Sequence, residues 1–139
     1  MTNAKTYIDG SKTLVALAAG DIVSKNTASN VVKVAADAST TAIGVVYSGV
    51  SSSTVGKQVS YTVAGKTKVY AGVATNGTAI EIGTPLIIGT GSTRGAGQVL
   101  VAAATSADAT TIVGKALEAV ALNTTTAQET LIDVEVNFQ

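Results

Sequence analysis

The sequence predicts an all-β protein: a small single-domain β-barrel or β-sandwich of about ten short strands, built around a duplicated β unit and preceded by an N-terminal arm. Three observations carry this. Short runs rich in Val, Ile and Thr recur along the chain, separated by Gly, Asn, Asp and Ser, and these β-branched residues suit a pleated, half-buried surface. One unit is written twice, as VVKVAADASTTAIGVVYSGV at 31–50 and VLVAAATSADATTIVGKALEAV at 99–120. Only 38–41, 104–109 and 115–119 have the composition of a helical turn, and each is short.

In order along the chain, residues 1–12 are polar and weakly patterned, with Tyr7-Ile8 as the apolar pair before the turn signal Asp9-Gly10. They read as an arm, with Tyr7 and Ile8 as candidate contacts on a neighbour, and residues 13–139 read as the β domain. Strands are expected at 13–17, 22–24, 31–35 and 42–48. Gly44, inside the apolar run 43–47, marks a bulge or a close backbone approach. Residues 58–64 alternate, with Val59, Tyr61 and Val63 on one side and Ser60, Thr62 and Ala64 on a wet face. Gly65-Lys66 is read as a turn, 68–75 as the returning strand, and Asn76-Gly77 as a type I′ hairpin turn, which needs positive φ at both central residues. Pro85 cannot donate to a ladder, so it belongs at a strand start or an edge. Residues 86–88, 98–103 and 111–120 read as strands. The chain closes on 131–138, where Ile132, Val134, Val136 and Phe138 alternate with polar residues.

Composition narrows the function. The chain of 139 residues has no Cys and no His, which removes disulfides, thiolate metal sites and the commonest general base at neutral pH. Nine Lys plus Arg balance nine Asp plus Glu, and they are scattered. Nucleic-acid binders carry a basic excess or stripe instead. Charged residues are 13% of the chain, against a usual ~25%. No apolar run approaches the ~18 residues of a membrane helix, and the first residues lack the apolar core of a secretory signal. Synthesis in a cytoplasm, with neither membrane nor nucleic acid as partner, is the expectation.

Candidates for chemistry are few. Asp133 and Glu135 lie on one strand face, where two carboxylates can hold a hard cation or serve glycoside chemistry; an outward polar strand face is the simpler reading. The Gly-rich loop 89–97 lacks the terminal Gly-Lys-Ser/Thr of a phosphate loop and the spacing of a dinucleotide fingerprint. Arg94 sits at its centre, the single Arg of the chain, and could grip a partner's carboxylate by a bidentate contact. No His is present to activate the abundant Ser and Thr. Tyr47, Tyr61 and Tyr70 are either core caps or interface anchors. Catalytic, cofactor and metal residues are therefore expected to be none, and no small-molecule substrate is expected.

The order Ala19-Gly20-Asp21-Ile22-Val23, Ala42-Ile43-Gly44-Val45-Val46, Ile82-Gly83-Thr84-Pro85-Leu86, Ile112-Val113-Gly114-Lys115-Ala116-Leu117-Glu118-Ala119 and Val134-Glu135-Val136 resembles the small β-rich head decoration, or cement, proteins of tailed bacteriophages. The resemblance implies a non-enzymatic virion protein on the outer capsid surface, often a homotrimer, that bridges major capsid proteins and stabilises the head. A different phage module (tail, baseplate or fibre component) is the alternative, and a small glycan-acting enzyme a more distant one.

Overall fold

The computed structural model of the chain describes residues 7–13, 17–27, 30–33, 42–47, 52–53, 58–74, 77–89, 97–104, 111–121 and 126–138. Among them run eleven strands and no α-helix: β1 (Tyr7–Thr13), β2 (Leu17–Ala18), β3 (Ile22–Thr27), β4 (Asn30–Lys33), β5 (Ala42–Val46), β6 (Ser52–Ser53), β7 (Gln58–Val73), β8 (Pro85–Ile88), β9 (Leu100–Ala102), β10 (Gly114–Ala116) and β11 (Gln128–Asn137). β2 pairs with β6 in a small sheet of its own. The other nine form one sheet that closes on itself twice. The first ring runs β1, β4, β3, β5, β7 and back to β1; the second runs β7, β9, β8, β10, β11 and back to β7. Among the described residues, closure leaves no long open edge for another strand to add to.

The two rings repeat each other strand for strand. β1 lies parallel to β4 as β7 lies parallel to β9, and every other pair around each ring is antiparallel. The registers correspond as well. Val23 stands opposite Lys33 and Gly44, as Leu86 stands opposite Ala102 and Gly114. Val45 faces Thr62, as Lys115 faces Glu135.

Even the entry turns match. Asp21 N–H donates to the Ala18 carbonyl at 3.1 Å, and Thr84 N–H to the Glu81 carbonyl at 3.0 Å. The third residue of each turn is a glycine, Gly20 at φ 94° and Gly83 at φ 93°, the positive φ that a type II turn requires. The fourth side chain reaches back in both, Asp21 Oδ2 accepting from Ala18 N–H at 2.8 Å and Thr84 Oγ1 accepting from Glu81 N–H at 3.0 Å. The duplicated unit predicted from the sequence is thus a duplicated barrel, and the last strand of the first copy is the first strand of the second.

Two cores follow from the alternation of side chains. Leu17, Val23, Val46, Val59 and Tyr61 fill the first barrel, with Ile43 and Val63 packed against them. Their counterparts Ile80, Leu86, Ala116, Ile132, Val134, Val113 and Val136 lie in the larger cluster that fills the second. Ile22, Ala42 and Val45 also belong to that larger cluster. Each neighbours a residue of the small core, so β3 and β5 are a partition with one face in each barrel. Gln98 locks the two together. Its Oε1 accepts from Ile22 N–H and its Nε2 donates to Ile22 C=O, both at 2.8 Å, in a buried setting.

Several expectations are corrected. Gly65-Lys66 does not turn the chain: β7 continues through it as one strand of 16 residues. The ladder to β11 runs unbroken from Ala64 opposite Asn137 to Val73 opposite Gln128 and holds the strand extended. Gly65, at φ 112°, absorbs a local kink beside the shift in the β1 register, where Tyr7 pairs with Ala64 and Ile8 with Thr62. The Asn-Gly hairpin does not form either. Gly77 N–H donates to the Ala74 carbonyl at 2.8 Å and Gly77 does not take the positive φ that a type I′ turn needs, while Asn76 lies outside the described residues. A strand returning along β7 would have no place, because β11 and β9 already pair with its C-terminal end. Thr62 is fully buried rather than wet, because the outer face of the first barrel rests on the second. Gly44 is a close approach as expected: a Cβ there would stand 2.7 Å from both the Thr62 carbonyl oxygen and the Tyr61 ring. Pro85 opens β8.

Candidate interaction surface

Only some of the residues singled out from the sequence lie among the described ones. Residues 7–12, read as part of an arm, run in β1, where the main chain of Tyr7 pairs with Ala64 and that of Ile8 with Thr62. Arg94 and the centre of its loop lie outside the described residues. Tyr61 is a core residue and Tyr47 and Tyr70 are half-buried.

The outward face of β7, β11 and β10 brings charged side chains together. In β11, Ile132, Val134 and Val136 point into the barrel, so Asp133, Glu135 and Asn137 point out. In the paired strands Lys68 stands opposite Asp133, and Lys66 and Lys115 stand on either side of Glu135. Asp133 Oδ1 lies 3.1 Å from Lys68 Nζ and its Oδ2 lies 3.6 Å from Lys66 Nζ. Glu118 adds a longer contact to Lys68 at 3.9 Å and accepts from the Asp133 N–H. This wall carries three cations and three carboxylates interleaved, so it presents no single sign to a polyanion or a charged membrane.

Charge pairing does not suit Asp133 to act as a general acid. The Lys68 contact, helped by Lys66, holds the Asp133 carboxyl below the usual 3.8 of an aspartate. A glycosidase acid needs the opposite shift. Among the described residues no group of three or more His, Cys, Asp or Glu comes together to hold a metal. The depressed carboxyl gives a pH prediction. Its stabilisation is present above 3.8 and is lost as pH falls through the lower folded value. Because the pair is partly exposed, Lys68→Met is expected to cost less than ~1 kcal/mol at neutral pH. Urea unfolding at stepped pH checks this: the wild-type and variant curves should converge at acid pH and separate as Asp133 ionises. Parallel curves across that range would contradict it.

Beside this wall lies an open groove of about 520 Å³, formed in part by Pro85, Ile112, Gly114, Lys115, Glu135 and Asn137. Sequence reading did not mark it. Its signal was available only by laying one copy over the other. Pro85, Lys115 and Glu135 then fall where the first barrel has Ile22, Val45 and Thr62, and Ile112 falls where it has Ala42, two residues before each matched glycine.

No protein family and no curated protein matches the chain. Among solved structures it is similar to the N base of the head fibre gp8.5 in bacteriophage phi29, with a TM-score of 0.54 and 13% identity over 96% of each chain. At that identity the likeness is one of fold. It spans both barrels, since almost the whole of each chain is covered.

Proposed function

We propose that the chain is a structural protein of a tailed-phage virion that binds the outer surface of the head, bridges major capsid proteins and stabilises the capsid. The observation that carries this reading is the end-to-end likeness of the double barrel to a phage head-fibre base. The order of short motifs that resembles head decoration proteins adds to it. A closed β body suits the task, because a rigid body loses little conformational entropy on docking, and repeated sites on a capsid convert modest contacts into avidity. The function needs no cofactor and no catalytic residue. Tyr7, Ile8 and Arg94 are proposed as partner contacts, with the major capsid protein and further copies of this chain, as a homotrimer, as partners.

A second reading is favoured by one observation: the similar structure is the base of a fibre. On this reading the double barrel seats a longer appendage on the head. One experiment addresses both. Purified chain is mixed with expanded phage heads lacking it, pelleted, and imaged by electron cryomicroscopy. Density on the outer capsid surface and slower release of DNA on heating are the expected results. Density with no gain in heat resistance favours the fibre-base reading. No co-sedimentation at micromolar chain, or density confined to the tail, overturns the head-surface assignment.

A further inference from the structure

The duplication places the same seam in both barrels and holds it by different means. Where β7 lies beside β9, Ala71 pairs with Leu100 and Gly72 with Val101. Where β1 lies beside β4, Lys12 pairs with Asn30 and Thr13 with Val31. In the second barrel the closing strand cannot leave. It is the C-terminal part of β7, its Val69, Ala71 and Val73 are buried, and ten of its positions pair with β11. In the first barrel the closing strand is β1, YIDGSKT. Tyr7 and Ile8 are its apolar residues, Asp9 and Gly10 are poor strand formers, and Gly10 has no side chain to pack. β1 pairs with β7 at six positions, across a register shift between Tyr7 and Ile8, and with β4 at two. The strands that β1 closes are held without it. β7 keeps its other side, where Val45 pairs with Thr62 and Val46 with Tyr61, Tyr47 N–H donates to the Ser60 carbonyl at 2.9 Å and Phe138 N–H to the Val63 carbonyl at 3.0 Å. β3 and β5 are fastened to the second barrel by Ile22, Ala42, Val45 and the Gln98 contacts.

We propose that β1 is a releasable strap: the first barrel opens at this seam, while the second stays closed, ahead of unfolding of the whole chain. Local opening draws on elements with few apolar residues and few pairings, and it spares β7, which both barrels share. Release bares the β7 edge from Gln58 to Ala64 and the β4 edge at Asn30 and Val31, and it frees the main chain of Tyr7 and Ile8 from Ala64 and Thr62. The polar segment that reads as an arm in the sequence and the strand seen in the fold are then two states of one element. One consequence rests on the proposed function: the partner contacts assigned there to Tyr7 and Ile8 are made in the open form.

Native-state hydrogen exchange on the full chain in rising denaturant tests the strap. Amides of β1 that donate to β7 are expected to exchange roughly 100-fold faster than amides of β11 that donate to β7, with a much weaker dependence on denaturant because little surface is exposed. Gly10 and Ser60 stand opposite each other across the seam. Because the chain has no cysteine, Gly10→Cys with Ser60→Cys can be closed there as a disulfide, the spacing of directly opposed strand residues being within its reach. Oxidation should slow β1 exchange toward the rate of the β11 amides and weaken head binding by roughly fivefold or more, and reduction should restore both. If the β1 amides of the wild type exchange only at the rate and denaturant dependence of the β11 amides, the strap is overturned, whatever the staple does. An oxidised chain that binds heads as tightly as the reduced one overturns the open form as the binding form. A chain that ignores heads in either state overturns the virion reading instead, and the exchange result alone then decides the strap.

Discussion

Replacing Gln98 by leucine is expected to destabilise the protein by about 4 kcal/mol. The leucine keeps most of the volume but neither accepts from Ile22 N–H nor donates to Ile22 C=O, which Gln98 holds at 2.8 Å. Each backbone group left unpaired out of water costs ~1–3 kcal/mol, and two are orphaned together. For a chain of this size the loss corresponds to a fall of about 12 °C in the thermal midpoint. Gln98→Glu separates the two contacts. Its carboxylate can still accept from the amide, but it cannot donate to the carbonyl, and it buries a charge. It should fall no less than the leucine variant. Hydrogen exchange supplies the local readout: the Ile22 amide should exchange far faster in Gln98→Leu, with interior amides of the second barrel changed only in step with global stability. A loss under ~1 kcal/mol with an unchanged Ile22 amide would mean that Gln98 is not the lock between the barrels.

That lock was not legible in the sequence, and the reason is physical. A glutamine beside a Gly-rich loop looks like any solvated polar residue. Its meaning depends on which strand passes it, here one that is far away along the chain. Alternation, by contrast, is a local signal, so β11 and its inward Ile132, Val134 and Val136 could be read directly, as could Pro85 at a strand start and Gly44 at a close approach. The duplication was visible as composition. Its consequence, a shared strand, was hidden because Gly65-Lys66 has the chemistry of a turn and only the ladder to β11 keeps it straight. Thr62 shows the same limit. A threonine is at home on a wet face or a covered one, and the second barrel, not the local pattern, decides which. Glu135 could be read as outward, but that its counterpart Thr62 is buried needs the fold.

Tyr61→Ala is expected to cost about 4 kcal/mol, within the ~3–5 seen for aromatic-to-alanine changes in cores. Among the described residues this ring is the largest group of the first core, with Leu17, Val23, Val46 and Val59 buried beside it. The matching residue in the second barrel is Val134, inside a much larger cluster. The ring also fixes its neighbour. A Cβ on Gly44 would stand 2.7 Å from the Tyr61 ring and 2.7 Å from the Thr62 carbonyl oxygen. Gly44→Ala alone is therefore expected to lose ~3 kcal/mol through overpacking that the backbone cannot relieve. Tyr61→Val, which installs the residue of the second copy, removes one of those two clashes. The double variant should then be more stable than the sum of the single losses predicts, by ~1 kcal/mol, but it should not reach the stability of Tyr61→Val, because the carbonyl stays in place. Strict additivity in chemical denaturation would show that the ring does not constrain position 44, leaving the Thr62 carbonyl alone as the reason for a glycine there.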